Sequence, residues 1–406
     1  MVSSSRASRF GILLATLLAS GPAEAGFTIR DLGVLAPGGT SKAEAINAKG
    51  QVAGTASRAD GSTVAVVADG GGTFHAVNVG NATSSSANAI DGSGDIAGTL
   101  TDPSDHLRHA FSMVGNSFHK FSPLKVNGQS GFDSQANAIS SSGEVVGTGT
   151  VPGLGGTATH VAFQGTDPAN PTIIKPLGGG RANFGAGINA EGTVVGTSEI
   201  SMNGPFHAFL ATSGGAVTDL VTRNLPGSFT LNTEGRAIND SGDVVGGGII
   251  GSREHAFFAS HSNAALVDIG LLDGISSVAF GVNNLLDPFV VGAAGYGSGG
   301  SRAFLWQASA GIIDLTSLLS IQDHAAWLLN SANAINDSNQ IVGVGTLNGM
   351  SHGFLLTPTQ GEPLFSPAGS SAVPAPPAFA LVAVGMTLVV AQTRSRRARA
   401  RGRNAS

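Results

Sequence analysis

Five of the chain's ten histidines fall in one local pattern: His109-Ala110-Phe111, His160-Val161-Ala162-Phe163, His207-Ala208-Phe209, His255-Ala256-Phe257 and His352-Gly353-Phe354. Imidazole is the commonest side-chain metal ligand, so a ring of such groups could hold an ion. A metal site, however, needs several donors converging on one point, and equivalent positions in a repeat diverge. A histidine that returns once per repeat suits a structural role better, with each one fixing its own repeat by bonding a nearby turn. On that ground no metal site is expected.

Other residues with possible chemistry are scattered. Asp91-Gly92-Ser93-Gly94-Asp95 and Asn239-Asp240-Ser241-Gly242-Asp243 partly match calcium loops. They lack the full ligand run and the closing glutamate, and turn chemistry explains them. Gly295 to Gly300 matches a dinucleotide glycine pattern but opens no helix, so a loop is expected there. Nucleophile elbows, paired zinc motifs and phosphate loops are absent, and no two carboxylates obviously pair for acid–base work. Neither catalytic residues nor a cofactor are therefore expected. Tyr296, Trp306 and Trp327 are the only large amphipathic aromatics. Trp306 lies on a strand and should be core. Trp327, in an apparently irregular connection from Ser320 to Asn330, and Tyr296 are the candidate ligand-binding residues, with Trp327 able to stack on a sugar.

These residues must be positioned by a repeat. The stretch Ala45-Ile46-Asn47-Ala48-Lys49-Gly50-Gln51-Val52-Ala53-Gly54 returns as Ala89 to Gly98, Ala138 to Gly147, Gly187 to Gly196, Ala237 to Gly246 and Ala334 to Gly343, with a longer copy from Gly281 to Gly292. Its anchor residues Ile46, Ile90, Ile139, Ile188, Ile238, Val282 and Ile335 are spaced by 44, 49, 49, 50, 44 and 53. A period of this size marks a repeat architecture.

Each repeat carries four short segments rich in Val, Ile and Phe and bounded by Gly, Asn, Asp and Ser, which is the pattern of strands. No helical period is convincing. Turns such as Asn47-Ala48-Lys49-Gly50 should cap themselves through the first side chain and end in a left-handed residue. Asn339 stands in that last place in the seventh copy. The fourth segment recurs as Val217-Thr218-Asp219-Leu220, Leu266-Val267-Asp268-Ile269 and Ile312-Ile313-Asp314-Leu315, and also early, as Ile29-Arg30-Asp31-Leu32-Gly33. The last repeat lacks one, so closing a ring would bring the spare strand to it. An all-β fold is expected, a seven-bladed β-propeller of four-stranded blades closed by the N-terminal strand. An open solenoid would leave raw edges and does not explain the permutation.

Seven blocks of Ala-Ile-Asn-x-x-Gly-x-Val-Val-Gly followed by His-Ala-Phe resemble the bacterial extracellular HAF-repeat family over roughly residues 27 to 357. The resemblance implies an exported repeat protein and carries over no catalytic residue.

The ends differ from the body. Residues 1–25 look like a secretory signal: Arg6 and Arg9, an apolar run from Phe10 to Leu18, and cleavage after Ala23-Glu24-Ala25. The repeat domain would occupy 26–358 and a linker 359–372. In 373–406, Val373-Pro374-Ala375-Pro376-Pro377 precedes an apolar run to Ala391 and six arginines. That order resembles the PEP-CTERM sorting signal, which implies recognition by an exosortase-type processing enzyme after transient membrane anchoring. Ala25, Val373, Pro374 and Pro376 are the expected processing residues. Cysteine is absent, so the fold uses no disulfides.

Residues 26 to 393 hold 13 Lys+Arg against 25 Asp+Glu, a body charge near −12 that disfavours nucleic acid as a partner. The expectation is a non-catalytic exported or cell-envelope module that binds extracellular polysaccharide or a surface protein. Its loops on one face would bind, the most divergent being Thr101 to Arg108, Val151 to Thr159, Thr166 to Pro171 and Leu285 to Gly300. The alternatives are a carbohydrate-active hydrolase or lyase using acidic residues in the channel, and a purely structural envelope protein.

Overall fold

The turn that joins the first two strands of each repeat is built as its residues dictate. Asn47 Oδ1 accepts from the Lys49 and Gln51 amides at 3.0 Å, and Gly50 closes the turn at φ +76°. In the seventh copy Asn339 takes φ 57°, the left-handed conformation that asparagine tolerates best after glycine. The longer sixth copy still closes on itself, with Asn283 Oδ1 accepting from the Phe289 amide at 2.8 Å.

The computed structural model describes residues 26–359 and 364, apart from 127, 154–157, 213–216, 224–228, 230, 264 and 298–299. The signal-like segment with Ala25, most of the linker, and the tail with Val373, Pro374 and Pro376 lie outside the described residues. Seven four-stranded antiparallel sheets form a ring, a seven-bladed β-propeller. The first strands of blades 1 to 7 are Ser41–Ile46, Ser84–Ile90, Ser134–Ile139, Asn183–Ile188, Leu231–Ile238, Ser276–Val282 and Trp327–Ile335, and they adjoin one another around the axis. Blade 7 takes its fourth strand from Phe27–Asp31, which pairs antiparallel with Met350–Pro358 from Phe27↔Pro358 to Asp31↔Phe354. The permuted fourth segment therefore closes the ring.

Each first strand carries a β-bulge before its anchor residue, as between Ala87 and Ala89 opposite Gly98. The bulge pushes a carbonyl into the space where the second strand's motif glycine lacks a side chain. A Cβ on Gly98 would lie 2.0 Å from Ser86 O and 2.9 Å from the Phe111 ring. This close approach is why the motif ends in glycine. The phenylalanine of each His-Ala-Phe segment covers that glycine, and Phe111, Phe163, Phe209, Phe257, Phe304 and Phe354 are all fully buried.

Blades are joined by hydrogen bonds as well as by packing. The Ala65 amide donates to Ser85 Oγ of the next blade at 2.9 Å. The same strut recurs as Ala110 to Ser134, Ala162 to Asn183, Ala208 to Thr233, Ala256 to Ser277 and Gly353 to Ser41.

Two expectations are corrected. The connection after Ser320 is not irregular: Ile321–Ala326 is a short helix capped by the Ser320 side chain, and Trp327 opens a strand. The divergent loops do not share one face. Strands alternate in direction, so Thr101 to Arg108 and the strand ends that flank 154–157 and 298–299, which lie outside the described residues, sit with the blade-to-blade connections, whereas Thr166 to Pro171 and 285–289 sit at the opposite end with the Asn-x-x-Gly turns.

Candidate functional site

The bulges also build the channel. The extra residue, two before each anchor, turns its side chain inward across the blade gap. Asn88 Nδ2 donates to Ala136 O, Asn137 Nδ2 to Gly185 O and Asn333 Nδ2 to Ala43 O, at 2.7, 2.7 and 2.8 Å. At the turn end the channel is drawn in by bonds from one turn to the next, including Asn239 Nδ2 to Asn283 O at 2.9 Å and Asn336 Nδ2 to Asn47 O at 2.9 Å. At the other end it widens into a cavity of about 1070 Å³, lined by the first halves of the first strands, by second-strand residues such as Thr148 and Thr197, and by Phe206. That volume lies just above the range for small-molecule sites, roughly 300–1,000 Å³.

Charge in this mouth is arranged along strands. Lys42 Nζ lies 2.8 Å from Glu44 Oε1, and Arg236 Nη2 bonds Glu234 Oε2, so blades 1 and 5 each carry one self-paired cation and carboxylate. Behind the lining, Glu254 on the third strand of blade 5 has its carboxyl pushed above the usual range by partial burial and by Glu234, against the pull of Arg236. The rest of the lining is neutral and includes Gln135, Asn137, Thr148, Phe184, Phe206 and Asn232. Phe184 is half-buried between His160, at a ring-centroid distance of 5.1 Å, and Phe206, at 6.2 Å.

No protein-family model matches the chain, and no curated protein matches it. Solved structures match its fold. Puromycin hydrolase is 12% identical with a TM-score of 0.50, over 78% of this chain and 51% of that one. An oligogalacturonate lyase in complex with manganese is 10% identical with a TM-score of 0.49, over 84% and 95%. The β-propeller domain of the Trilobed protease from Pyrococcus furiosus, which has an open velcro topology, is 10% identical with a TM-score of 0.47, over 80% and 94%. The chain thus spans about half the length of puromycin hydrolase. At such identities the likeness is one of fold alone.

The repeated histidines have a partner that sequence reading missed. His207 Nδ1 lies 2.8 Å from Asp219 Oδ2, His255 Nδ1 3.0 Å from Asp268 Oδ1, and His352 Nδ1 2.9 Å from Asp31 Oδ1. Each pair ties the third strand to the fourth within a blade, so the partner is a strand aspartate rather than a turn. Blade 6 replaces the histidine with Arg302, 3.7 Å from Asp314. The signal was present: the repeats with Asp in the fourth segment are those with this His or Arg arrangement. Blades 2 and 3 lack that aspartate, and His160 instead meets Thr150 Oγ1 at 3.3 Å.

His109 belongs to a separate cluster in the divergent Thr101 to Arg108 loop. Asp102, Asp105 and His109 bring ligand-type atoms within 4.8 Å of one another. His109 Nε2 is 2.9 Å from Asp105 Oδ2, while Lys120 and Ser104 hold Asp102 well below the usual carboxylate range. Metal-bound histidines donate their second ring N–H to an acceptor. His109 Nδ1 is buried without one among the described residues.

Of the two candidate ligand-binding aromatics, Trp327 is only 7% exposed, edge-on to His352 and Phe354 in the core of blade 7. It presents no open face to a sugar. Tyr296 is 42% exposed at the end of a second strand, with the Arg302 guanidinium 4.5 Å from its ring centre. The two are not brought together in the mouth. Trp306 is core, as expected.

Proposed function

We propose that this propeller is a non-catalytic interaction module of an exported or cell-envelope protein, binding extracellular polysaccharide or a surface protein at the wide mouth of its channel. The observation that carries this is the make-up of the mouth. Its lining acids are paired with cations two residues away, and amides, hydroxyls, phenyl faces and small aliphatic groups form the rest. Such a surface suits recognition by shape, stacking and hydrogen bonds. The divergent loop 101–108 stands on the same face and suits a partner-specific rim. Export and processing rest on the sequence signals at the two ends, with the tail held transiently in the membrane until an exosortase-type enzyme removes it. Among the described residues no helix is long and apolar enough to cross a membrane.

The test is retention of the full-chain protein on native cell-surface material and on a glycan array. Retention that competes with added polysaccharide or surface protein supports the proposal. Empty arrays and no retention would leave a purely structural envelope role.

A second function, carbohydrate hydrolysis or elimination, is favoured by one observation: Glu254, with its raised carboxyl, lies near Glu234 and Arg236. A carboxyl raised by burial beside a second carboxylate suits a general acid. Release of new sugar ends from polysaccharide by the wild type, lost in Glu254→Gln, would establish it.

A further inference from the structure

We propose that the channel wall formed by blades 3 and 4 is a subsite for a neutral pyranose, seated on Phe184 and hydrogen-bonded by Gln135 and Thr148. This rests on the interaction-module function above and names the ligand class at the same mouth.

The starting point is an orphaned hydroxyl. Thr148 is 6% exposed, lines the cavity, and its Oγ1 has no hydrogen-bond partner among the described residues. Buried polar groups almost always have partners, and one left without any is costly. The fold supplies its own control. In blade 2 the equivalent Thr99 accepts from Asn88 Nδ2 at 3.3 Å. In blade 3 the corresponding Asn137 keeps the matching inter-blade bond, to Gly185 O, but makes none to Thr148, whose buried Oγ1 is left without a partner among the described residues.

Gln135 faces Thr148 directly across the strand pair and also lines the cavity. Its side chain makes no hydrogen bond within the described residues, so both its donor and its acceptor are available. Phe184, on the next blade, is braced between His160 and Phe206 and cannot turn away without breaking both contacts. A primary amide, a hydroxyl and a fixed phenyl ring therefore border one space.

The matching ligand has an apolar C–H face for the ring and adjacent hydroxyls that both donate and accept. A pyranose has both. The charged lining residues sit on blades 1 and 5, already paired, so this wall favours a neutral sugar over a uronic or phosphorylated one. Phe206 extends the aromatic surface toward Asn232. The Asn232 Oδ1 already accepts from the Phe206 amide at 2.9 Å, which leaves its amide N–H groups for a second sugar unit.

The experiment is titration calorimetry of the full-chain protein with cellohexaose, maltohexaose and laminarihexaose, with a hexameric oligouronate and a mixed peptide library as controls. At least one neutral hexasaccharide is expected to bind. Phe184→Ala should weaken it about tenfold or more, the loss of one well-stacked ring. Thr148→Val should weaken binding several-fold while leaving the melting temperature unchanged or raised, because it removes an unsatisfied hydroxyl without changing shape. These opposite signs separate a ligand-binding hydroxyl from a structural one. Failure of all three sugars, binding of oligouronate or peptide alone, or wild-type affinity in both Thr148→Val and Phe184→Ala would each overturn the subsite. If both variants still hold native cell-surface material as the wild type does, the subsite is wrong and the interaction module stands. If the wild type holds none, the broader proposal fails.

Discussion

His352 and Asp31 are 321 residues apart in sequence, and their side chains meet at 2.9 Å. The contact fastens the fourth strand of blade 7 to the third, where the ring closes. Beside it, Phe27 is fully buried among Leu356, Leu315 and Leu318.

Closure should dominate stability. Phe27→Ala is expected to cost about 3–5 kcal/mol, as for a large buried aromatic. Asp31→Ala should cost about 1 kcal/mol, because that carboxylate is partly exposed and its pairing is weakened by solvent. Deleting Phe27–Asp31 should lower the melting temperature more than either. Urea unfolding curves check the order, and an unchanged midpoint after the deletion would contradict closure.

The blade-to-blade struts give a second expectation. Ser85→Ala removes the acceptor for the buried Ala65 amide without changing the packed volume much. An unsatisfied buried N–H costs about 1–3 kcal/mol. The same change at Ser93, on a turn, should cost far less. Denaturant midpoints of the two variants decide it.

The motif glycines give a third. Gly98→Ala would place a methyl carbon against Ser86 O, a backbone atom fixed by the bulge, and should prevent folding. Gly38→Ala meets no atom within 4 Å, and its penalty should be limited to the φ of +73°. Soluble expression and circular dichroism distinguish them.

Glu254 predicts a pH dependence. Its carboxyl is raised in the folded protein, so ionising it costs folding free energy. The cost is absent below the unfolded pKa of about 4.3 and grows as pH rises through that value to the raised one. Glu254→Gln should therefore raise the melting temperature at pH 7 and leave it nearly unchanged at pH 3.5. Equal effects at both pH values would contradict the assignment.

The repeat showed the hairpins, the left-handed turn residue at Asn339 and the ring closure, because each depends on residue type at fixed spacing. The early Ile29 to Gly33 segment was enough to foresee closure. The bulge was not legible, since it moves one residue without disturbing the surrounding alternation. The inward aim of Asn137 follows from that bulge, so it was hidden too. The His–Asp pairs were legible in principle: both halves stood in the repeat, but their meeting depends on strand register. Trp327 was misjudged because a capped helix before it turns the connection into a strand that buries the ring.

The most direct test of function is to plug the mouth. Ala186 is the extra bulge residue of blade 4 and lines the cavity, so a large side chain there occupies it without crossing the core. Retention of full-chain Ala186→Trp on native cell-surface material should fall about tenfold or more relative to wild type, with the melting temperature within about 3 °C. Undiminished retention by a folded Ala186→Trp protein would show that the mouth is not where this protein binds.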